Sequence, residues 1–165
     1  MAPKGQSTRP TADRVRQAVF DVLEHAAWSP KLPGARVADV FAGSGAYGLE
    51  ALSRGAAFAH FVERGEEAAL AIHANLAALG LERAARLDRS DAVRFTGWDG
   101  AYTLAFLDPP YGSGFAQLVL PRLVGQMTAD GVIVVEQAAG SPPPVGRLLA
   151  HRKWGRAEVA FLATV

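Results

Sequence analysis

The chain contains no cysteine among its 165 residues, and this absence narrows the chemistry that it can perform. Disulfide bonds, thiolate metal sites and a cysteine nucleophile are excluded together. No apolar run approaches the roughly 20 residues that cross a bilayer, and the N-terminal residues contain no hydrophobic signal core. The histidines show no metal-ligand spacing; they are His25, His60, His73 and His151. We therefore expect a cytoplasmic protein that binds no metal and no membrane.

What the chain has instead is the composition of one globular domain, with its positive charge at the two ends. Half of the residues are hydrophobic, 20% are charged, and the formal net charge is +1. A chain of this length can bury a full core. Residues 1–16 contain four Lys or Arg and one acid, and residues 147–156 contain four Lys or Arg and no acid. These clusters indicate either a surface that binds a polyanion or simply solvated ends.

The hydrophobic pattern predicts an α/β domain. Residues 1–10 are predicted to be a flexible basic segment, followed by a single domain over residues 11–165 that opens with an amphipathic helix at 12–27, capped by Thr11. Strands are then predicted at 36–41, 58–62, 84–87, 102–107 and 132–135, helices at 46–54, 66–79 and 115–127, and a hairpin at 148–164. Pro121 should kink or split the last helix. This alternation is typical of a doubly wound, mainly parallel sheet with a C-terminal antiparallel hairpin.

A glycine turn follows the first predicted strand and opens the next helix. Gly43, Gly45 and Gly48 satisfy the G-x-G-x-x-G pattern of nucleotide-binding turns, in which a ligand approaches bare backbone at a helix N-terminus. Asp39 precedes these glycines, and its carboxylate would repel a pyrophosphate. A cofactor with an ammonium group and no phosphate, such as S-adenosylmethionine, explains Asp39 better than a dinucleotide does. A purely structural turn is the alternative.

Two further acids follow predicted strands, at the edge where ligands of doubly wound sheets bind. Glu63 ends the second strand, and its carboxylate can accept hydrogen bonds from both ribose hydroxyls of an adenosine. An ordinary exposed strand end is the alternative for Glu63. Asp91 follows the third strand, where it either contacts the cofactor or caps a helix.

The motif Asp108-Pro109-Pro110-Tyr111 directly follows the fourth predicted strand. Two consecutive prolines leave carbonyl groups free to accept hydrogen bonds, because the neighbouring N–H donors are missing. Asp108 adds a charged acceptor and Tyr111 an aromatic face, so the motif suits a planar base with an exocyclic amino group. Because the first and fourth strands adjoin at the switch point of this fold, we expect the motif to face the glycine turn. A simple proline turn is the alternative.

Together these motifs resemble the bacterial 16S ribosomal RNA guanine-N2 methyltransferases, which are amino methyltransferases of nucleic acids. The resemblance covers the chain from about Arg9 onward and is carried by residues 9–16 (RPTADRVR), 39–45 (DVFAGSG), 48–55 (GLEALSRG) and Asp108-Pro109-Pro110-Tyr111. It implies a seven-stranded, Rossmann-like class I methyltransferase fold with S-adenosylmethionine as cofactor. Family members usually carry a basic β-hairpin ahead of the first stretch, where this sequence has residues 1–8.

The resemblance also implies roles for individual residues. Catalysis would fall to Asp108, Pro109, Pro110 and Tyr111. With Asp39, the residues that bind the cofactor would be Phe41, Ala42, Gly43, Ser44, Gly45, Glu63, Arg64, Asp91 and Ala92. The substrate would meet Thr11, Arg14 and Tyr111 at the mouth of the site.

The function that we predict is methylation, from S-adenosylmethionine, of an exocyclic amine in a nucleic-acid base, and most specifically of guanine N2 in small-subunit rRNA. The expected partner is ribosomal RNA or the small-subunit particle, and the expected state is a monomer. Alternatives are a DNA adenine or cytosine amino methyltransferase, a non-catalytic cofactor-binding or RNA-binding module, and a nicotinamide-dependent oxidoreductase. The oxidoreductase is disfavoured because this sequence shows no substrate domain and no evident acid for hydride transfer.

Overall fold

The computed structural model describes residues 9–164, with the side chains of residues 10–164. The predicted flexible segment 1–10 lies outside the described residues except for Arg9 and Pro10, which begin the first helix. The helices are α1 (Arg9–His25), α2 (Ala46–Ser53), α3 (Glu66–Leu79) and α4 (Phe115–Val124), with a 3₁₀ turn at Glu82–Ala84. The strands are β1 (Arg36–Val40), β2 (Phe58–Val62), β3 (Ala85–Asp88), β4 (Tyr102–Leu107), β5 (Met127–Ala138), β6 (Arg147–Trp154) and β7 (Ala157–Ala163).

The strands form one seven-stranded sheet in the order β3-β2-β1-β4-β5-β7-β6. Neighbours among β1 to β5 are parallel, whereas β7 and β6 add an antiparallel hairpin beside β5. Side chains of α1, α2 and α3 pack on one face of the sheet and those of α4 on the other. β4 is therefore buried along almost its whole length, as a central parallel strand must be. The predicted fold class is confirmed.

Three elements have bounds that differ from the prediction by more than one residue. α1 begins at Arg9, so Thr11 lies inside its first turn, and the prediction that Thr11 caps the helix is wrong. Pro10 is tolerated there because the first N–H groups of a helix have no partner within it. Pro121 lies in the last turn of α4, which ends at Val124 without being split. β5 starts before its apolar run, at Met127, with an irregular register against β4.

The pairing of β1 with β4 brings the two sequence motifs together. Asp39 pairs with Phe106 and Val40 with Leu107. The backbone N–H of Asp108 donates to the carbonyl of Val40 at 3.4 Å, so the turn after β1 and the motif after β4 start side by side. The predicted adjacency of these strands at the switch point is confirmed.

A buried carboxyl group ties β1 to α2. Asp39 is 1% exposed, and its Oδ2 accepts a 2.9 Å hydrogen bond from the backbone N–H of Gly48. That N–H belongs to the first turn of α2, where helix N–H groups lack partners and the helix dipole is positive. Burial raises the pKa of Asp39 to about 7, although the hydrogen bond from Gly48 opposes the shift.

The three glycines of the turn serve different purposes. A Cβ atom on Gly48 would collide with the ring of Phe61, and one on Gly45 would lie 2.9 Å from Ile72 and 3.1 Å from Phe61. A Cβ atom on Gly43 would meet nothing within 4 Å, although the φ angle of Gly43 is +56°. Gly45 and Gly48 thus let α2 pack against β2 and α3, whereas Gly43 presents bare backbone to open space.

We expect Gly48→Ala to lower the free energy of unfolding by about 1–3 kcal/mol, because the added methyl group overpacks the contact with Phe61. Urea unfolding followed by circular dichroism measures the change. The matched control is Gly125→Ala, since Gly125 has an ordinary φ of −64° and a Cβ there would stay 3.4 Å from its nearest neighbour. Equal stability of the two variants would contradict this packing role.

We also expect the free energy of unfolding to fall as the pH rises, in part because the Asp39 carboxyl group loses its proton. The carboxyl loses its proton near pH 4 in the unfolded chain and near pH 7 in the folded one, so the free energy of unfolding decreases between these values and levels off above them. At about 1.4 kcal/mol per pH unit, this group accounts for roughly 2–3 kcal/mol between pH 5 and pH 8.

Asp39→Asn should remove that part of the pH dependence, because the amide oxygen can still accept from Gly48 and does not titrate. Urea unfolding at pH 5, 6.5 and 8 measures it, with the exposed Asp130→Asn as control. The role assigned to Asp39 is wrong if Asp39→Asn retains the full slope of the wild type.

Candidate active site

A cavity of about 860 Å³ lies at the carboxyl ends of β1 to β4, a volume typical of small-molecule sites. Its inner wall comes from the segments that follow these strands, and its outer wall from the first turn of α1 and the turn between β6 and β7. The strand order reverses between β1 and β4, which is where doubly wound sheets bind their ligands.

Glu63 clamps the turn after β1 and also faces the cavity. Its Oε1 accepts a 2.9 Å hydrogen bond from the N–H of Gly43, and its Oε2 accepts a 2.7 Å hydrogen bond from the N–H of Gly65. Each carboxylate oxygen can accept a second hydrogen bond. Glu63 is half-buried in the cavity wall, so two acceptor positions remain for hydroxyl groups of a ligand.

Asp91 also has a structural role in addition to its place in the wall. Its carboxylate accepts a 3.0 Å hydrogen bond from the N–H of Val93, which caps a short turn rather than a helix. Asp91 and its neighbour Ala92 both line the cavity. The helix-cap alternative for Asp91 is therefore wrong, and contact with the cofactor stays a prediction.

A buried histidine anchors the segment between β3 and β4 that carries Asp91. His60 is fully buried in β2, and its two ring nitrogens lie 2.6 Å from the hydroxyl of Tyr102 and 2.6 Å from Oδ2 of Asp88. The Tyr102 hydroxyl in turn accepts from the N–H of Asp99. Burial lowers the pKa of His60, so a neutral ring held between two partners is favoured. These contacts give His60 a structural role.

The predicted cofactor residues divide into two groups. Those in the cavity wall are Phe41, Gly43, Glu63, Arg64, Asp91 and Ala92. Those outside the wall are Asp39 and Gly45, which are buried behind the turn, Ala42, which is half-buried, and Ser44, which is exposed. The second group shapes the turn, and direct contact with a cofactor remains a prediction for all ten residues.

The motif after β4 places a carboxyl group without a protein partner in the same cavity. Asp108, Pro109, Pro110 and Tyr111 all line it. Within residues 9–164 no hydrogen bond reaches the Asp108 carboxyl group. Burial and the nearby charges of Glu136 and Asp39 raise the pKa of Asp108 well above its usual value. An unpartnered carboxyl group in a cavity wall is available for a hydrogen bond with a ligand, and a cationic ligand would favour its charged, accepting form.

Tyr111 stands at the mouth of the cavity with its side chain 63% exposed. An exposed aromatic ring beside a polar pocket is suited to stacking on a planar base. Behind it, the rings of Phe41 and Phe115 stack at 6.0 Å with an angle of 10° between their planes, and both line the cavity. The site therefore combines stacking surfaces with a few polar acceptors.

The structure adds two residues that the sequence analysis missed, Glu136 and Tyr47. The hydroxyl of Tyr47 donates a 2.8 Å hydrogen bond to Oε2 of Glu136, and Glu136 lines the cavity. Since Leu107 pairs with Val135, Asp108 and Glu136 are the next residues along two adjacent parallel strands. Burial raises the pKa of Glu136, and the hydrogen bond from Tyr47 opposes the shift. The available signal was an acid directly after an apolar run, the same signal that identified Asp108.

The mouth of the cavity is basic on one side. Thr11 and Ala12 of α1 line it, as do Gly155 and Arg156 of the turn between β6 and β7. Arg14 is exposed on α1 but does not line the cavity, and Arg156 was not among the predicted site residues. The proximity of α1 to the hairpin was not evident from their sequences.

Two negative findings concern the part of the chain that the structure describes. No helix there is both long and apolar enough to cross a membrane. No cluster of three or more His, Asp or Glu side chains in those residues could hold a metal ion.

Known methyltransferases resemble this chain along nearly its whole length. The family model described as conserved hypothetical protein 95 matches residues 1–163. The putative rRNA methyltransferase YlbH of Bacillus subtilis is 37% identical over 164 residues, covering 92% of this chain and 84% of that protein. Ribosomal RNA small subunit methyltransferase D of Escherichia coli K12 is 34% identical over 164 residues, covering 96% of this chain and 80% of that protein.

A solved structure agrees with these sequence relatives. The putative methyltransferase yhhF from Escherichia coli is 32% identical, with a TM-score of 0.80, and the match covers 97% of this chain and 89% of that chain. The predicted family is confirmed. The chain belongs to the conserved hypothetical protein 95 family, the family of the small-subunit rRNA methyltransferase D proteins.

Proposed function

We propose that this protein transfers a methyl group from S-adenosylmethionine to the exocyclic N2 amine of a guanine in small-subunit rRNA. The observation that carries the proposal is the Asp108 carboxyl group, which is half-buried in the cavity wall, receives no hydrogen bond from residues 9–164 and shares the cavity with an exposed Tyr111. The relatives named as small-subunit rRNA methyltransferases support the choice of substrate.

The polar groups of the cavity fit S-adenosylmethionine. Glu63 retains two acceptor positions for ribose hydroxyls, and the Asp91-Ala92 segment closes the far wall. Burial raises the pKa values of Asp39, Asp108 and Glu136, so a cationic ligand beside them would stabilise their charged forms. When bound, the cofactor supplies an electrophilic methyl group on a positively charged sulfonium, so that forming the N–C bond breaks the C–S bond and leaves a neutral thioether.

Side-chain and backbone groups of the motif after β4 orient the target amine. The carboxylate of Asp108 accepts a hydrogen bond from the amine and thereby returns electron density to a nitrogen whose lone pair is delocalised into the base. Pro109 and Pro110 place carbonyl acceptors nearby without competing N–H donors. Once the nitrogen carries the methyl group, Asp108 takes the proton that it releases, a task suited to a carboxyl with a raised pKa.

The RNA backbone would lie along a basic rim, which we define as Arg14, Arg152, Lys153 and Arg156. All four side chains are exposed, and Arg156 also lines the cavity. Positive charges beside a cavity attract phosphates and hold a strand in register, whereas the cavity itself selects the base. We propose that Thr11 and Arg14 on α1 face the same RNA strand.

Asp108→Asn should reduce methyl transfer by roughly 10²–10³-fold, because the amide can neither carry the charge nor take the proton. The measurement uses tritiated S-adenosylmethionine with small-subunit particles, naked 16S rRNA and DNA, each lacking the modification. Cofactor affinity should stay within a few-fold of wild type by calorimetry. Asp130→Asn, an exposed change away from the cavity, is the matched control.

The outcomes of this experiment separate the alternatives. A wild-type protein that binds the cofactor but methylates none of the three substrates would be a non-catalytic module. Transfer to DNA alone would overturn the rRNA substrate and keep the enzyme. Full activity of Asp108→Asn would overturn the role of Asp108.

Charge reversal on the basic rim should weaken RNA binding without changing cofactor binding. For Arg152→Glu and Lys153→Glu we expect a higher KM for RNA and a shallower salt dependence, by about 0.7 in the slope of log K against log salt for each phosphate that the protein no longer neutralises. Filter binding at several salt concentrations measures this. Arg83→Glu, an exposed reversal in the 3₁₀ turn before β3, should leave both quantities unchanged. An unchanged slope in the rim variants would show that the rim does not bind RNA.

A further inference from the structure

Glu136 has one carboxylate oxygen committed to the protein and one that is free. Tyr47 donates to Oε2, whereas Oε1 accepts no hydrogen bond from the residues that the structure describes. Tyr47 is itself held in place, because its ring stacks on Phe106 with centroids 4.7 Å apart and 17° between the planes. The free oxygen therefore has a fixed position in the wall of the cavity.

This free acceptor lies beside the acceptor that we assign to the amine. Asp108 and Glu136 follow the paired residues Leu107 and Val135, and the charge of Glu136 contributes to the raised pKa of Asp108. Glu136 also lines a second cavity of about 300 Å³ on the side of α4, whose wall includes Pro109, Pro110 and Tyr111. When the amino group of a base lies at Asp108, the ring nitrogen next to that amino group thus lies near Glu136.

The identity of that neighbouring ring atom differs among the bases. In guanine, the N2 amine lies beside N1–H, which is a donor. In adenine, the N6 amine lies beside N1, and in cytosine the N4 amine lies beside N3; both ring atoms are acceptors. A carboxylate next to the amine site accepts a hydrogen bond from N1–H of guanine. With adenine or cytosine, the carboxylate oxygen and the ring nitrogen are both acceptors and repel each other. A buried mismatch of this kind is strongly unfavourable.

We propose that Glu136 is the residue that selects guanine, by accepting a hydrogen bond from N1–H of the target base while Tyr47 holds it in place. This inference rests on the proposed function, and it assigns the base specificity to a different side chain from the one that assists methyl transfer. Tyr47 is a positioning residue, since it acts through Glu136.

The test uses a synthetic RNA fragment that contains the nucleotide mapped in the transfer experiment. Guanine at that position is compared with 2-aminopurine and 2,6-diaminopurine, which both keep the 2-amino group, both lack N1–H and differ at position 6. For the wild type we expect kcat/KM to be about 100-fold lower with either analogue than with guanine.

Glu136→Gln should lose this discrimination, because an amide can donate to an unprotonated N1 as readily as it accepts from N1–H. We expect its rate on guanine to fall about ten-fold, because a neutral amide oxygen is a weaker acceptor than a carboxylate, and its preference over both analogues to shrink to within about five-fold. Tyr47→Phe should show a smaller loss of preference, because it leaves the carboxylate in the cavity but releases its orientation. The matched control is Glu158→Gln, a half-buried acid of β7 outside the cavity.

Cofactor affinity and thermal melting show whether each variant is folded. If Glu136→Gln does not fold, Tyr47→Phe alone decides, through the ratio of guanine to analogue rates. An unchanged ratio in the folded variants would overturn the proposal, and so would an adenine or cytosine at the mapped position. Failure of the wild type to methylate any RNA would instead overturn the proposed function.

Discussion

A cluster of three desolvated carboxyl groups is the constraint around which this molecule is arranged. The carboxyl groups of Asp39, Asp108 and Glu136 lie at the same edge of β1, β4 and β5, and burial raises the pKa of each. Desolvated carboxylates are costly unless hydrogen bonds or opposite charges compensate them. Gly48 supplies a donor to Asp39 and Tyr47 supplies one to Glu136, whereas Asp108 receives none from residues 9–164. The site is therefore incomplete in a way that a cation and an amine would complete.

Both of the protein's own donors come from α2, so the placement of this short helix controls two of the three carboxyl groups. The helix approaches β2 closely only because Gly45 and Gly48 have no side chain to meet Phe61. Packing between a glycine and a phenylalanine ring thus fixes the electrostatics of a cavity that neither residue lines. Steric and electrostatic requirements therefore converge on the same turn.

Local signals predicted most of the fold. The bounds of α3 and β4 follow from capping glycines and apolar runs, and both elements lie where they were predicted. The missed features depend on contacts between distant residues. Nothing near residue 47 in the sequence indicates that a tyrosine on α2 reaches Glu136, and nothing near residue 156 indicates that a hairpin turn meets α1. The early start of β5 has the same origin, since Met127 pairs with Tyr102 of β4 ahead of an irregularity in the register.

The position of β6 at the end of the sheet gives its charges a second consequence. An edge strand presents unpaired backbone N–H and C=O groups, which can recruit a strand from another molecule and start aggregation. Arg152 and Lys153 are exposed on this strand, and lysine and arginine side chains discourage such edge-to-edge pairing. The exposed charges of the proposed basic rim would then also disfavour pairing of this edge with another strand.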